Sequence, residues 1–317
     1  MTAVYFAPLQ SMTTFIYRNA HNRVFGPSID KYYAPFFMAH EKRNFNFKEK
    51  LDLGIRENAS THMVPQILTR NAEDVIRYQR ILLDMGYKEL NINLGCPSKT
   101  VTSKGRGSAF LIYREELDRF LDGVYEGADP AGSISVKTRI GTESPEEFIY
   151  LTEIYNQYPI SELTIHPRTM RQFYDGVPVR ESFLYGLKYC QRPLVYNGDI
   201  WSVEDWKALK EEAQRVCPGK SFQLMIGRSA IADPALARKI KGTGGPARPE
   251  EYMDMLHELI DNYRELLNDE QMVLFRLKEL WSWMIRQFPG KEEQLNLLNR
   301  CDTMDQYLQY EEQILMG

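Results

Sequence analysis

Glu89-Leu90-Asn91-Ile92-Asn93-Leu94 has the short, largely apolar pattern of a buried β-strand, and it is one of eight such runs in the first part of the chain. The strand candidates are Val4–Pro8, Lys31–Phe37, Met63–Leu68, Glu89–Leu94, Ser133–Arg139, Glu162–His166, Pro193–Asn197 and Phe222–Gly227. Amphipathic stretches between them predict helices, among them Ala72–Met85, Arg114–Tyr125, Pro145–Tyr158, Val203–Arg215 and Pro234–Ile240.

Strands that alternate with helices form parallel sheets, and eight such units close into a barrel, so the sequence predicts a (β/α)8 TIM barrel. An open doubly wound sheet is the alternative, but it normally carries a glycine-rich turn after its first strand, where this chain has Ala7-Pro8-Leu9-Gln10.

A glycine- and proline-rich linker, Lys241-Gly242-Thr243-Gly244-Gly245-Pro246, follows the predicted barrel. Beyond it the apolar residues recur with helical spacing, as in Met253, Leu256, Leu259 and Ile260. The helix candidates here are Glu250–Leu267, Met272–Gln287, Glu292–Leu298 and Met304–Leu315. We therefore expect a barrel domain at 1–241 and a small helical bundle at 246–317.

Composition and charge narrow the classes of function. The chain has 317 residues, of which 43% are hydrophobic. No apolar run approaches the roughly 20 residues of a membrane span, and the N-terminus lacks a signal-peptide pattern, so a cytoplasmic location without membrane contact is expected. The cysteines and histidines show no metal-ligand spacing, so no metal site is expected.

Charge is distributed unevenly. Residues 246–317 carry 7 Lys and Arg against 15 Asp and Glu, a net charge of −8, whereas residues 1–245 have a net charge of +4. Any contact with nucleic acid must therefore come from local basic patches.

Polar residues occupy the end of one predicted strand after another. They are Gln66, Asn93, Cys96, Lys137, Arg139, His166-Pro167-Arg168, Asn197-Gly198-Asp199 and Gly227-Arg228. Barrel enzymes build their active sites at these ends, and they often bind phosphate after the seventh and eighth strands. The last two groups suit a phosphate because glycine lets backbone amides approach it, although such turns also occur in ordinary loops.

Lys137 lies within an otherwise strand-like run. A lysine that points into a barrel mouth needs an anionic partner to offset its desolvation, and a reduced flavin with charge near N1 would supply one. A lysine on a solvated strand edge is the alternative. His166 either borders a cofactor or is a hydrogen-bonded core histidine.

The strand ends carry a resemblance to a known family. Asn93-Leu94-Gly95-Cys96-Pro97-Ser98-Lys99, followed by Lys104-Gly105-Arg106-Gly107-Ser108-Ala109, resembles the tRNA dihydrouridine synthases in sequence and spacing. These are flavin enzymes that reduce uridine to 5,6-dihydrouridine. Supporting similarities are Ala7-Pro8, Gln66, Lys137-Thr138-Arg139-Ile140-Gly141, His166-Pro167-Arg168, Asn197-Gly198-Asp199, Gly227-Arg228 and the helix segment Arg276-Leu277-Lys278-Glu279-Leu280-Trp281. The chain departs from the family at Leu9-Gln10-Ser11, where Met-Glu-Gly or Met-Ala-Gly is common.

The resemblance implies a cofactor, FMN, in the barrel mouth, with NADPH or NADH as its reductant. Pro8, Leu9 and Gln10 would pass beside the flavin ring, while Gln66 and Lys137 would hydrogen-bond its polar edge. His166 would border the cofactor. The phosphate would be held by Asn197, Gly198, Asp199, Gly227 and Arg228.

Cys96 is the expected catalytic residue. Hydride transfer from flavin N5 to C6 of uracil builds negative charge, and C5 must then take a proton from a nearby acid. A thiol with an ordinary pKa stays protonated at neutral pH and can donate that proton. An inert, buried thiol is the alternative, and it is the role we expect for Cys190, Cys217 and Cys301.

The implied partner is tRNA, bound by a monomer. Lys99, Lys104 and Arg106 would form a basic loop that clamps RNA phosphates over a flipped base. Asn93, Arg139 and Arg168 are candidates to position the uracil, and solvated surface charge is the alternative for the charged loop residues. The sequence does not decide which tRNA uridine is the target.

Two other functions suit a barrel of this kind. A dihydroorotate-dehydrogenase-like FMN enzyme would act on a free pyrimidine, but such enzymes lack the pattern from Gly95 to Gly107 and a helical tail. A non-catalytic tRNA-binding protein would have no need of Cys96 and Lys137.

Overall fold

A closed parallel barrel forms the first part of the computed structural model, which describes residues 2–40 and 44–316. Its strand segments are β1 (Val4–Phe6), β2 (Lys31–Tyr33), β3 (Phe37–Met38), β4 (Met63–Val64), β5 (Gln66–Leu68), β6 (Glu89–Leu94), β7 (Ser133–Arg139), β8 (Leu163–His166), β9 (Leu194–Tyr196) and β10 (Gln223–Ile226). They pair in the order β3-β5-β6-β7-β8-β9-β10-β1-β2-β4, and every pairing is parallel.

Two of the eight predicted strands are each broken into two segments. The second strand comprises β2 and β3 and contains Pro35, while the third comprises β4 and β5 and contains Pro65. Proline lacks the N–H that a sheet ladder requires, which accounts for both breaks. Because β2 pairs with β4 and β3 pairs with β5, the two broken strands lie side by side and close the ring. The predicted barrel of eight strands is confirmed.

Helices follow the strands around the barrel and then form the C-terminal bundle. They are α1 (Phe15–Phe25), α2 (Phe47–Asp52), α3 (Ala72–Asp84), α4 (Lys99–Thr102), α5 (Arg114–Gly127), α6 (Glu147–Gln157), α7 (Arg180–Tyr189), α8 (Val203–Val216), α9 (Arg228–Ala232), α10 (Leu236–Lys241), α11 (Pro249–Leu267), α12 (Glu270–Met284), α13 (Glu292–Arg300) and α14 (Met304–Met316). Short 3-10 helices lie at Gly107–Ile112 and Ile285–Gln287. The predicted helical bundle after the barrel is confirmed.

The C-terminal bundle shares its apolar core with the barrel. On α11 the buried face includes Leu256, Leu259 and Ile260, as predicted, together with Tyr252 and Met255. Met253 is only partly buried, so the buried face is rotated slightly from the predicted one. Buried apolar side chains continue from the barrel helices into the bundle as one cluster. A division into domains at residues 241 to 246 therefore stays a prediction.

The interior of the barrel has an apolar part and a polar part. The apolar part is formed by Tyr5, Ala7, Tyr33, Val64, Val195 and Met225. The polar part is a chain of hydrogen bonds in which Gln66 donates to Asn91 over 2.7 Å, Asn91 donates to Ser135 over 2.9 Å, and Ser135 donates to Glu89 over 2.6 Å. Asn93 extends the chain towards the C-terminal ends of the strands by donating to Gln66 over 2.7 Å. Buried polar groups need such partners, so the chain fixes the orientation of these side chains.

Within residues 2–40 and 44–316, no helix combines the length and the apolar character that crossing a membrane requires.

Candidate active site

A cleft of about 880 Å³, open to solvent, lies at the C-terminal ends of the strands. The residues predicted to bind the cofactor all line it, namely Pro8, Leu9, Gln10, Gln66, Lys137, His166, Asn197, Gly198, Asp199, Gly227 and Arg228. Cys96, Asn93 and Arg139 line the same cleft. The structure therefore brings the predicted acid and the predicted cofactor wall into one space, while the role of each residue stays a prediction.

Cys96 is held by hydrogen bonds on both sides. Asn93 Oδ1 accepts from the backbone amides of Gly95 and Cys96, each over 3.0 Å. The Cys96 carbonyl accepts from the backbone amide of Ser108 over 3.0 Å and from its hydroxyl over 2.9 Å. The thiol itself is partly exposed to the cleft, and burial raises the pKa of Cys96. The thiol is therefore protonated at neutral pH and can act as an acid.

The second half of the family-like motif packs directly on Cys96. Gly107 has a φ of +58°, and a Cβ placed there would lie 2.6 Å from the Cys96 carbonyl oxygen. Both the left-handed backbone and the lack of space require glycine at this position. The spacing between the two halves of the motif thus reflects a direct contact between them.

Lys137 points into the cleft from β7. Its ammonium group has no hydrogen-bond acceptor or carboxylate partner within residues 2–40 and 44–316. Burial, together with the nearby positive charge of Arg139, lowers the pKa of Lys137 to about 7. A cation in this position lacks the compensation that a buried charge needs, and an anionic ligand would supply it.

His166 is neutral and has one defined tautomer. Burial, and then the positive charges of Arg139 and Lys137, hold the pKa of His166 well below its usual value. Its Nε2 lies 3.2 Å from Nη1 of Arg168. A guanidinium group can only donate, so Nε2 accepts and the proton resides on Nδ1. That N–H is a donor available for a ligand.

Asp199 joins two arginines at the predicted phosphate site. Its carboxylate accepts from Arg168 over 2.6 Å and from Arg228 over 2.8 Å. Burial alone would raise the pKa of Asp199, but the hydrogen bonds and charges of the two arginines outweigh it and lower that pKa. Asp199 therefore orients Arg228, and its own carboxylate cannot attract a phosphate.

Arg168 has a structural environment that differs from the predicted one. Its side chain is 1% exposed and does not line the cleft. Besides Asp199 and His166, it donates to the carbonyls of Asp175 and Gly176. The Arg168 guanidinium donates to groups of the protein itself, so it holds Asp199 and His166 in place. It is not available to position a uracil.

Arg139 lines the cleft but is also largely engaged. Its Nε donates to the Gly95 carbonyl over 2.9 Å and its Nη1 to the Thr169 carbonyl over 2.7 Å. Burial lowers the pKa of Arg139 to about 10, so it remains charged at neutral pH. Tyr174 also contacts the guanidinium, with its ring centroid 5.4 Å from the guanidinium carbon, so the part of Arg139 left for a ligand lies beside Tyr174.

The predicted basic loop lies outside the cleft, beside Cys96. Lys99 and Lys104 are exposed, and Arg106 is partly exposed with its Nη1 3.9 Å from the sulfur of Met38. None of the three forms an ion pair in the part of the chain that the structure describes. They offer free positive charge next to the cleft, as a phosphate-binding loop requires.

The donors around the cleft fit an elongated cofactor with a polar ring edge and a phosphate. Lys137 and His166 offer donors to a ring at one side, and Arg228 offers a cation at the other. A Cβ at Gly198 would lie within 3 Å of the Tyr196 side chain, and one at Gly227 would lie 3.2 Å from the Cβ of Ala7, so the packing favours glycine at both positions. No group of three or more His, Cys, Asp or Glu among the described residues could hold a metal ion.

Three aromatic residues of the cleft were not predicted, namely Phe36, Tyr174 and Trp201. Tyr174 lies over the mouth, with its ring centroid 6.1 Å from that of His166 and the Arg228 guanidinium 5.0 Å from its ring. Phe36 lies at the break between β2 and β3, whereas Tyr174 and Trp201 lie in the loops after β8 and β9, where no periodicity marks them. The sequence feature that could have pointed to Tyr174 and Trp201 as cleft residues is an aromatic side chain in a loop at the end of a strand.

Comparison with known families gives a direct match. The model of the family "Dihydrouridine synthase (Dus)" matches residues 6–316. The chain belongs to the dihydrouridine synthase family. The predicted resemblance is confirmed, and so is the prediction that the protein is an oxidoreductase enzyme. The match favours a dihydrouridine synthase over a dihydroorotate-dehydrogenase-like enzyme and over a non-catalytic RNA-binding barrel.

Individual relatives cover almost the whole chain. The tRNA-dihydrouridine(16) synthase of Pseudomonas syringae pv. tomato is 25% identical over 94% of this dihydrouridine synthase and 95% of the relative. The enzyme of the same name from Aquipseudomonas alcaligenes is 24% identical, over 95% of this chain and 97% of the relative. Among solved structures, the old yellow enzyme from Trypanosoma cruzi has a TM-score of 0.52 at 10% identity, over 79% of this chain and 91% of that one. At this identity the likeness shows the barrel fold alone.

Proposed function

We propose that this protein reduces a uridine of tRNA to 5,6-dihydrouridine, with FMN as its cofactor and NADPH or NADH as the reductant. One observation carries the proposal: Cys96, with a protonated thiol, lines the same cleft as all the residues expected to hold FMN. Family membership supports the same reaction.

The residues around the cleft can be matched to the parts of FMN, from its ring to its phosphate. Pro8, Leu9 and Gln10 would lie along the ring, and Lys137 and His166 would donate to its polar edge. Gln66 would contribute little to hydrogen bonding of the flavin ring, because its side-chain amide already bonds to Asn91 and Asn93. The cofactor phosphate would be bound by Arg228 and by the backbone of Asn197, Gly198 and Gly227.

Cys96 acts as the proton donor in this proposal. FMN, when bound, supplies the hydride for C6 of the uracil. The Sγ–H of Cys96 donates a proton to C5, and the raised pKa of Cys96 keeps that proton in place until it is needed. Asn93 keeps the thiol loop in position through two amides.

We further propose that the target is the uridine at position 16 of tRNA. The support is that the relatives from Pseudomonas syringae and Aquipseudomonas alcaligenes, of which this chain covers 95% and 97%, carry that position in their names. A stacked base must leave its helix to enter a barrel mouth. Lys99, Lys104 and Arg106 would bind the phosphates beside it, and Arg139 would bind the uracil.

The test uses purified protein, NADPH and tRNA that lacks dihydrouridine. We expect the visible spectrum of a bound flavin, its bleaching by NADPH, and dihydrouridine at position 16 of the treated tRNA. A protein that carries no flavin, or that leaves every uridine intact, would refute the proposed function. Dihydrouridine at another position would refute only the assignment of the target. Size-exclusion chromatography and cell fractionation test the proposed monomer and the proposed cytoplasmic location.

A further inference from the structure

Two tryptophans and an arginine meet where the cleft borders the C-terminal bundle. The ring centroids of Trp201 and Trp283 are 6.5 Å apart, with their planes inclined by 20°. The guanidinium carbon of Arg286 lies 4.4 Å from the Trp201 ring centroid and 5.4 Å from that of Trp283. We call these three residues the Trp–Arg platform.

The platform is continuous with the cleft. Trp201 is one of the residues that line the cleft, in the loop that follows β9. Arg228, which lies at the proposed phosphate site, has its guanidinium carbon 6.0 Å from the Trp201 ring centroid and 6.0 Å from that of Trp283. A ligand that extends out of the cleft on this side must therefore pass the platform.

Both tryptophans are attached to rigid parts of the fold. The Trp201 amide donates to Asp205 Oδ2 over 2.9 Å, and Asp205 belongs to the capping box of α8. Trp283 lies in the last turn of α12, and the buried Trp281 in the same turn donates to the Tyr307 hydroxyl over 2.9 Å. The two rings are thus presented by the barrel and by the bundle, in fixed positions.

The platform retains unused binding capacity. Both rings are only partly buried, and Arg286 is exposed. Arg286 forms no ion pair, and the indole N–H groups of Trp201 and Trp283 have no acceptor, within residues 2–40 and 44–316. Aromatic side chains that serve only to join two parts of a fold are normally buried, with their polar atoms paired.

The chemistry of the platform fits a flat, anionic ligand. Nucleic-acid bases stack on indole rings and on guanidinium planes, and arginine also binds the phosphate that accompanies each base. The bundle otherwise repels nucleic acid, because residues 246–317 carry a net charge of −8. The exposed Arg286 and the partly exposed Arg228, which both lie against Trp201 and Trp283, therefore form a local basic site in a chain whose C-terminal part is acidic overall.

We propose that the Trp–Arg platform binds one unpaired nucleotide of the substrate tRNA, adjacent to the uridine that enters the cleft. The inference rests on the proposed function, and it adds a contact by which the protein would recognise its tRNA substrate. Extruding one base unstacks its neighbours, and a neighbouring base that stacks on Trp283 and Trp201 would recover part of that lost stacking. The platform would thereby hold the RNA in register with Cys96.

The experiment measures binding of unmodified tRNA to the flavin-loaded protein and to four variants. Trp283→Ala is expected to raise the dissociation constant by about tenfold or more, because a base loses its stacking surface. Trp283→Phe should keep most of the affinity, since an aromatic face remains. Arg286→Ala should weaken binding and reduce the slope of log affinity against log salt by about one. Arg300→Ala removes an exposed charge elsewhere on the bundle and should bind like the wild type.

Flavin content and melting temperature are recorded for each protein. If Arg286→Ala and Trp283→Ala bind tRNA as tightly as the wild type, the platform proposal is wrong, and a lower melting temperature would then identify it as a packing contact. If Trp283→Ala fails to fold, Arg286→Ala decides by the same criterion, and wild-type affinity of Arg286→Ala for tRNA would refute the platform. If the wild-type protein makes dihydrouridine and both Trp283→Ala and Arg286→Ala have the wild-type KM for tRNA, only the platform proposal is refuted. A wild-type protein that makes none refutes the proposed function instead.

Discussion

Asn93 Oδ1 accepts a 3.0 Å hydrogen bond from the backbone amide of Cys96, so the position of the proposed acid depends on a side chain three residues before it. The same oxygen holds the amide of Gly95, and the Asn93 amide group donates to the buried Gln66. The thiol loop is thus anchored to the hydrogen-bonded chain inside the barrel.

Asn93→Ala is expected to lower the kcat for dihydrouridine formation by about a hundredfold, because a displacement near 1 Å has that effect on a reacting group. Its KM for tRNA and its flavin content should change little if Asn93 only positions Cys96. Asn93→Asp keeps the acceptor for both amides and should recover part of the rate. A rise in KM without a fall in kcat would show instead that Asn93 binds the uracil.

Cys96→Ala should retain flavin and its reduction by NADPH but lose dihydrouridine formation by a factor of about 10² to 10⁴, the usual contribution of a general acid. The two half-reactions are measured separately, by flavin absorbance and by dihydrouridine content of tRNA. Cys190→Ala is the matched control, since that thiol is buried at the end of α7, outside the cleft. Full dihydrouridine formation by Cys96→Ala would refute the role of Cys96 as the proton donor.

Lys137 should make FMN binding depend on pH. Its pKa of about 7 in the ligand-free protein rises when the negatively charged ring of reduced FMN binds beside it, so binding takes up a proton. The affinity for reduced FMN should therefore fall as the pH rises above 7, by up to about tenfold per pH unit. Anaerobic titration of flavin-free protein with reduced FMN between pH 6 and pH 9 measures this slope.

Lys137→Gln should bind FMN more weakly at pH 6 and lose the part of the slope that comes from the lysine. Lys207→Gln, at an exposed position on α8, is the control and should retain the wild-type slope. Parallel pH profiles for Lys137→Gln and the wild type would contradict a direct contact between this lysine and the cofactor.

Gly107→Ala should disturb the thiol loop. The new Cβ would lie 2.6 Å from the Cys96 carbonyl, and a φ of +58° strains any residue with a side chain. We expect a loss of about 1–2 kcal/mol in the free energy of unfolding, measured by urea denaturation, together with slower dihydrouridine formation. Gly245→Ala is the control, because a Cβ there meets no atom within 4 Å. Equal effects of the two changes would show that the close packing on Cys96 does not matter.

The sequence was sufficient to predict the barrel and most of the cleft wall. The predicted bounds of β6 and β7 agree with the structure, because neither strand contains proline or glycine that would interrupt it. The breaks in the second and third strands were not predicted, although Pro35 and Pro65 mark them. The strand ends were informative because a parallel barrel gathers all its C-terminal ends on one side.

Burial and loop geometry account for what was not predicted. Arg168 occupies a strand-end position like that of Arg228, and only the folded structure shows that Asp199 and two carbonyls engage it. Tyr174 and Trp201 reach the cleft through loops whose path depends on contacts distant in sequence. Trp283 comes from α12, so its approach to Trp201 depends on how the bundle packs on the barrel.

The bridge from Arg168 through Asp199 to Arg228 has a consequence for how the protein acquires its cofactor. Arg228 is already oriented by a carboxylate in the ligand-free protein, so a phosphate that arrives meets a pre-organised cation and little conformational entropy is lost on binding. Asp199 also acts as an internal counter-ion, which limits the attraction of the free site for other anions. The charge of the phosphate site is therefore partly neutralised before the cofactor arrives, and binding does not depend on ordering a free arginine.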